Sequence, residues 1–225
     1  KDKFFSIIGH DLRSPFNSII GFSDILIEQI NEKDYSNINL YAEAIQRSSN
    51  SAMDLLMNLM EWSQSQTGRM EFNPEFVELV GLIEETELLL AGSLHQKTIS
   101  LTKNMPSNAP VFADKKMIST IMRNLISNAI KYTHPEGNIT ITVEEKQHEM
   151  LVSVSDNGVG ISKVDREKLF KIDQTYSTSG TKNEKGTGLG LILCKEFVEK
   201  HDGKIWVESE VGKGSAIYFT IPKNI

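Results

Sequence analysis

Residues 124–132 read Asn-Leu-Ile-Ser-Asn-Ala-Ile-Lys-Tyr, within a segment, 114–133, whose apolar spacing predicts a helix that Asp114 caps. Asn124, Asn128 and Lys131 are four and three residues apart, so they share one face of that helix. Two amides and one cation on a single face suit a hydrated divalent metal ion and a polyphosphate. A solvated helix face explains the same pattern, so this stretch alone leaves both interpretations open.

A second stretch follows an apolar strand-like run at 151–155. Residues 155–161 read Ser-Asp-Asn-Gly-Val-Gly-Ile. The Asp156 carboxylate can accept a hydrogen bond from an exocyclic amine, while Gly158 and Gly160 let the backbone approach a ligand closely. Asp-Asn-Gly is also strong turn chemistry, and by itself it predicts only a tight turn.

A third stretch is rich in glycine and opens a helix expected at 188–201. It consists of Gly186, Thr187, Gly188, Leu189 and Gly190. Glycine turns at a helix N-terminus present N–H groups and a positive dipole end to phosphate. The stretch does not follow a strand and lacks a Gly-Lys-Ser/Thr ending, which excludes a dinucleotide-binding fingerprint and a P-loop.

The second half of the chain is expected to be an α+β domain. A helix is predicted at 80–96, and strands are predicted at 139–144, 151–155, 205–208 and 216–221. With the two helices named above, this order predicts helices packed on a mostly antiparallel sheet.

The first half predicts a helical hairpin, with helices at 3–30 and 38–62 and a polar turn at 31–37. Apolar or small residues recur at steps of three and four along the second helix, at Ile38, Tyr41, Ile45, Ser48, Ala52, Leu55, Leu59 and Trp62. Two helices alone bury little surface, so two hairpins should form a dimeric four-helix bundle. The predicted organisation is a hairpin at 1–66, a linker at 67–75 and an α/β domain at 76–225.

Composition limits the classes of function. The net charge of −6 leaves no basic excess for nucleic-acid phosphates. No apolar run approaches the roughly 20 residues that span a bilayer, so no membrane contact is expected. The single cysteine, Cys194, excludes an internal disulfide and is expected in the core. The chain starts with Lys1, without an initiator Met, directly before a predicted helix. We therefore expect a cytoplasmic fragment of a larger protein, with any membrane segment outside it.

In this order and spacing, the three stretches resemble the N, G1 and G2 boxes of the Bergerat ATP-binding fold. Histidine kinases, type II topoisomerases, mismatch-repair ATPases and heat-shock-90 chaperones share that fold. The resemblance implies that ATP and Mg²⁺ bind, with Asn128 as the metal ligand and Asn124 beside it. It further implies that Lys131 contacts phosphate, Tyr132 packs near the nucleotide and Asp156 reads the adenine amine. Residues 162–185 would form the ATP lid. Leu169-Phe170 resembles the F box, with Ile172 where a second Phe is usual.

Residues 5–17, Phe-Ser-Ile-Ile-Gly-His-Asp-Leu-Arg-Ser-Pro-Phe-Asn, resemble the H box of histidine kinases. The resemblance makes His10 the phosphoryl acceptor, Asp11 its hydrogen-bond partner and Ser14 a residue for dephosphorylating a partner. By helical periodicity the His10 ring lies on the side away from the seam, and Pro15 bends the helix one turn later. An idle surface histidine is the alternative for a His considered alone.

These features predict a protein-histidine kinase. It would transfer the γ-phosphoryl group of ATP to His10 and then to an aspartate of a response-regulator receiver domain, with weak regulator phosphatase activity. Hydrolytic members of the fold carry a catalytic Glu four residues before the metal-binding Asn, but here that position is Asn124, which is no general base. The alternatives are a hydrolytic ATPase that clamps a partner and a degenerate dimeric scaffold.

Overall fold

The computed structural model describes residues 2–66, 70–171, 180–182 and 188–223, with the side chains of 2–8, 10, 11, 65 and 66 left out. The expectations for Ile172, Gly186, Thr187 and the His10 and Asp11 side chains lie outside these described parts. Contacts divide the chain into two compact units, Lys1–Thr67 and Gly68–Ile225.

The first unit consists of two helices, α1 (Asp2–Glu32) and α2 (Ile38–Gln66), which pack against each other. The predicted turn at 31–37 begins too early, because α1 continues through Glu32 and ends where Lys33 takes the left-handed conformation, with φ 58°. The predicted α2 seam is confirmed, since its residues are buried or half-buried and Ala52, Leu55 and Trp62 are fully buried.

The second unit places helices on a sheet, as predicted. Its elements are β1 (Glu75–Glu78), α3 (Leu79–Gln96), β2 (Ser100–Asn104), β3 (Pro110–Ala113), α4 (Lys115–Tyr132), β4 (Asn138–Glu145), β5 (Glu149–Asp156), α5 (Lys163–Arg166), α6 (Gly190–Lys200), β6 (Ile205–Glu210) and β7 (Gly214–Pro222). The five-stranded sheet has the order β2-β4-β5-β7-β6, and only the β2–β4 pair is parallel. Strands β1 and β3 form a separate antiparallel pair.

Helix α4 forms where the sequence predicts it, because its cap and its apolar face agree. The Asp114 Oδ1 atom accepts hydrogen bonds from the backbone N–H groups of Lys116 at 3.0 Å and Met117 at 3.1 Å. The apolar face of α4 is buried against α3, α6 and β5, and Ile118, Ile121 and Ile126 are fully covered. Burying each such side chain stabilises the fold by roughly 1.5–3 kcal/mol. The polar face with Asn124 and Asn128 is thereby turned away from the core.

Strands β1, β2 and β3 were not predicted. Strand β1 has one buried residue, Val77, and β2 has none, so neither shows the alternation that identifies a strand. Within the described residues, no helix is long and apolar enough to cross a membrane. Cys194 is fully buried, as predicted.

Candidate functional site

The C-terminal end of α4 is the centre of the candidate site, because three of its last four carbonyl groups bind other segments and the fourth binds the cap residue Thr133. An α-helix leaves these four acceptors without partners inside the helix. The Ala129 carbonyl accepts from the Thr133 N–H at 3.0 Å and the Thr133 hydroxyl at 2.6 Å. The Ile130 and Lys131 carbonyls each accept from the Lys97 Nζ atom at 2.9 Å. The Tyr132 carbonyl accepts from the Val159 N–H at 3.1 Å.

The last of these bonds joins α4 to the turn that follows Asp156. Asp156 ends β5, and its Oδ1 atom accepts the Gly158 N–H at 2.8 Å. Burial raises the pKa of the Asp156 carboxyl, while hydrogen bonds from the Gly158 and Ser215 backbone lower it less. Asp156 is half-buried, and a carboxylate with a raised pKa beside a helix end is a candidate for ligand binding. The structure thus brings Asp156 close to the end of the helix that carries Asn128.

Gly158 and Gly160 have a structural role in the packing of the turn. A Cβ atom at Gly158 would lie 2.1 Å from the Tyr132 carbonyl oxygen, and one at Gly160 would lie 2.0 Å from the Glu210 carbonyl oxygen. Both glycines therefore allow the turn to pack against the chain's own backbone. Their expected role, which is to let the backbone approach a ligand closely, stays a prediction.

The start of α6 lies against Asn124. A Cβ atom at Gly190 would lie 2.7 Å from the Asn124 Oδ1 atom, so only glycine lets the two helices come this close. Gly188 has a φ of 68°, in the left-handed region that favours glycine. The Leu189 side chain is 2% exposed and belongs to the core, so Leu189 could meet a ligand only through its backbone.

The two asparagines on α4 differ in their surroundings. Asn124 donates its amide N–H to the Thr120 carbonyl at 3.1 Å. No hydrogen bond from elsewhere in the described chain reaches the half-buried Asn128 side chain. One turn later, the Lys131 Nζ atom lies 4.7 Å from the centroid of the Tyr132 ring, over its face. The Asn128 amide is therefore the one that remains available for a ligand.

In the first unit, the backbone of His10 and Asp11 belongs to α1, and their side chains are outside the described residues. Ser14 is half-buried one turn further on, and its carbonyl accepts the Ser18 hydroxyl at 3.1 Å. Pro15 lies inside α1 and contributes no backbone N–H.

Sequence reasoning missed three residues at the end of α4. Lys97, Thr133 and Thr181 all bind its terminal carbonyls, and Lys97 is only 4% exposed. A lysine after a helix normally predicts a solvated surface cation. One local signal exists for Thr133, which directly follows the helix and can cap it with its hydroxyl.

Comparison with known proteins identifies the family of the chain. Residues 113–225 match the family described as histidine kinase-, DNA gyrase B- and HSP90-like ATPase, and residues 1–68 match the His Kinase A (phospho-acceptor) domain. The first match defines an ATP-binding α/β fold. With the second, the chain belongs to the sensor histidine kinases.

Relatives match along nearly the full length of the chain. It is 30% identical over 230 residues to the non-motile and phage-resistance protein of Caulobacter vibrioides, covering 99% of this chain and 27% of that protein. It is 32% identical over 226 residues to the circadian input-output histidine kinase CikA of Synechococcus elongatus, covering 99% and 30% respectively. The chain thus spans about a third of these relatives or less.

A solved structure, histidine kinase ThkA in complex with response regulator protein TrrA, superposes with a TM-score of 0.76 and 26% identity. The match covers 98% of this chain and 61% of that chain. The predicted fold class is therefore confirmed.

Proposed function

We propose that this chain is a kinase core that transfers the γ-phosphoryl group of ATP to His10 and then to an aspartate of a receiver domain. One observation carries the nucleotide site: the Tyr132 carbonyl accepts the Val159 N–H at 3.1 Å. This bond links the helix of Asn128 to the turn of Asp156. The bond supports a single site for the residues that are proposed to bind phosphate and adenine.

Adenine recognition is assigned to Asp156. Its carboxylate ends a strand and is half-buried, and burial raises its pKa. An adenine amine that donates a hydrogen bond to this carboxylate would offset part of the cost of burial. Guanine presents a carbonyl oxygen at the corresponding place, which a carboxylate would repel. We therefore expect ATP to bind in preference to GTP.

A Mg²⁺ ion fits the donors on α4. The Asn128 amide is half-buried and supplies an oxygen ligand, while Asn124 is engaged with Thr120 and packed on Gly190. In the described parts of the chain, no cluster of three or more His, Cys, Asp or Glu residues could hold a metal. The metal would thus be held by Asn128 and by phosphate oxygens, and it would neutralise charge on the phosphates when bound. Lys131 is proposed to add a positive charge, and Gly186, Thr187 and Gly188 to add backbone N–H groups.

Phosphoryl transfer is assigned to the H box of α1. A ring nitrogen of neutral His10 forms a bond to the γ-phosphorus, the bond to the bridging oxygen breaks, and ADP leaves. Asp11 accepts a hydrogen bond from the other ring N–H and stabilises the positive charge that develops on the imidazole. Asn124 offers no base for activating water, which favours transfer to His10 over hydrolysis.

The first unit is proposed to dimerise. Its two helices expose large apolar side chains on the isolated hairpin, including Phe16 at 52%, Ile20 at 59% and Ile27 at 59%. An apolar surface of this kind normally marks an interface. A second hairpin that completes a four-helix bundle would cover it. The receiver domain is the proposed second partner, as in the complex of ThkA with TrrA.

Incubation of the purified chain with γ-labelled ATP tests the proposal. We expect a protein-bound label that is stable in alkali and lost in acid, the behaviour of a phosphoramidate. His10→Gln should abolish the label and leave ATP binding intact. Hydrolysis of ATP without any label on the protein would identify a hydrolytic ATPase that clamps a partner. The absence of both protein label and hydrolysis would identify a scaffold.

A further inference from the structure

Lys97 is a buried cation whose three N–H donors all have acceptors. Its side chain is 4% exposed, although lysine is almost never fully buried unless it is paired. The Nζ atom donates to the Ile130 and Lys131 carbonyls at 2.9 Å each and to the Thr181 hydroxyl at 2.8 Å. Among the described residues, these three acceptors match the three protons of an ammonium group.

Two of these acceptors are carbonyls at the end of α4. The C-terminal end of a helix carries partial negative charge, so a cation placed there is favourable. The backbone of Lys97 is also fixed, because its N–H donates to His95 and its carbonyl accepts the Glu136 N–H at 2.9 Å. Lys97 therefore holds the last turn of α4, which carries Lys131 and Tyr132, from a rigid position.

The third acceptor, Thr181, forms two further hydrogen bonds to carbonyl groups at the end of α4. Its N–H donates to the Lys131 carbonyl at 3.1 Å, and its hydroxyl donates to the Thr133 carbonyl at 2.8 Å while accepting from Lys97. Thr181 precedes Gly188 by seven positions in the sequence. A residue in the segment before the glycine-rich stretch is thus fastened to the helix of Asn128.

We propose that Lys97 is a positioning residue for the nucleotide site, which sets the end of α4 and the Thr181 segment relative to each other. This role of Lys97 rests on the proposed ATP-binding function. Lys97 would contribute to the nucleotide site without touching the substrate. Through the Tyr132 carbonyl and the Val159 N–H, the same helix end also holds the Asp156 turn. Lys97 therefore acts on two segments that carry proposed ligand-binding residues, the end of α4 and the Asp156 turn, and on Thr181 in the segment before the glycine-rich stretch.

The test compares ATP affinity, KM for ATP and kcat in the full chain with Mg²⁺. Lys97→Met should weaken ATP binding and raise KM about tenfold, equivalent to about 1.4 kcal/mol. Thr181→Val keeps the shape but removes the hydroxyl, and should act in the same direction. Thr181→Ser keeps the hydroxyl and should retain the parent's affinity. The double variant Lys97→Met with Thr181→Val should bind ATP no more weakly than Lys97→Met alone, because both substitutions disrupt the same set of hydrogen bonds at the end of α4.

Lys103→Met is the matched control, since Lys103 is a nearby lysine that pairs with Glu87 at 2.6 Å on the surface. It should leave ATP binding unchanged. In the nucleotide-free protein, Lys97→Met and Thr181→Val should also speed amide hydrogen exchange at Thr181 and Val159, whose N–H groups bond to the end of α4.

If Lys97→Met does not fold, the comparison of Thr181→Val with Thr181→Ser tests the proposal instead. Equal ATP affinity and equal Thr181 exchange in those two variants would overturn the assignment. A parent chain that fails to bind ATP would refute the proposed function, while the exchange data would still report on Lys97.

Discussion

The Nε2 atom of His201 accepts a hydrogen bond from the backbone N–H of Asp114 at 2.9 Å. The other ring nitrogen, Nδ1, lies 2.7 Å from the Phe197 carbonyl oxygen and must donate to it. This requires a neutral imidazole with its proton on Nδ1. His201 is 1% exposed, and its ring packs edge-on against Phe72. Through Asp114 and Phe72, His201 therefore connects the end of α6 to the end of β3 and to the start of the second unit.

Stability of the second unit should fall in mild acid because of His201. Burial lowers the pKa of its ring below the ordinary value of 6.5, and the charge of Lys200 adds to this shift. The hydrogen bond to the Phe197 carbonyl and the carboxylates of Asp114 and Asp202 oppose it. Between the folded pKa and pH 6.5, the His201 ring binds a proton in the unfolded chain and stays neutral in the folded chain. The stabilisation is complete above pH 6.5 and is lost as pH falls from there through the folded pKa.

His201→Gln should flatten this pH dependence and cost about 1–3 kcal/mol at pH 8, because it disturbs two buried hydrogen bonds. The measurement is the free energy of unfolding by denaturant, followed by Trp206 fluorescence in a Trp62→Phe background. His148→Gln changes an exposed histidine and should keep the slope of the parent. An equal slope in parent and His201→Gln would contradict the prediction.

Asp156→Asn should stabilise the nucleotide-free protein while it weakens ATP binding. The raised pKa means that the folded state disfavours the charged carboxylate, so stability is lost as pH rises through the folded pKa. An amide keeps an acceptor for the Gly158 N–H and removes the charge. We expect a gain on the order of 1 kcal/mol at pH 7 in thermal unfolding. We also expect loss of the preference for ATP over GTP in direct binding. A loss of stability in the variant would argue against a burial cost at this carboxylate.

The two asparagines of α4 should separate metal binding from packing. Asn128→Ala should abolish Mg²⁺-dependent ATP binding with little change in melting temperature, because its amide makes no bond to the described chain. Asn124→Ala removes the hydrogen bond to Thr120 and the contact with Gly190, and should cost about 1 kcal/mol. The two variants are compared by titration with ATP, in the presence and absence of Mg²⁺, and by thermal unfolding. The same profile for both variants would refute the distinction.

Two glycine substitutions should have opposite effects on stability. Gly158→Ala places a Cβ atom 2.1 Å from the Tyr132 carbonyl oxygen, so backbone must move, and we expect a loss of about 2–3 kcal/mol with weakened ATP binding. Gly92→Ala lies in α3 with nothing within 4 Å of the added atom. It should stabilise by about 0.5–1 kcal/mol through helix propensity. Denaturant unfolding measures both, and a harmless Gly158→Ala would show that the turn does not need this close approach.

Ser14 should support weak dephosphorylation of the regulator. It lies one turn after His10 on nearly the same face of α1, and serine lacks the γ-methyl group that restricts χ1 in threonine. Ser14→Thr should raise regulator dephosphorylation severalfold and Ser14→Ala should remove it, with autophosphorylation little changed. Loss of label from a phosphorylated receiver domain is the measurement. Equal rates for Ser, Thr and Ala would leave Ser14 only the role of easing the helix before Pro15.

Much of the architecture could be predicted from local pattern. The α4 helix was predicted within a residue at each end because periodicity, the Asp114 cap and the apolar face act over a few neighbouring residues. Strands β4, β5, β6 and β7 were predicted because apolar runs or alternation mark strands against a core. The order of the three glycine- and asparagine-rich stretches, with the H box, was enough to predict the family.

The sequence by itself therefore determined the helical hairpin and the class of sheet, and it supplied the residues that are proposed for ATP binding and phosphoryl transfer. Only the tertiary structure decided how they are held. Lys97, Thr133 and Thr181 meet at the end of α4, and His201 meets Asp114, although 33 or more residues separate most of these partners. No local pattern distinguishes a buried Lys97 from a solvated lysine, because its burial depends on carbonyl groups that the folded chain brings to it.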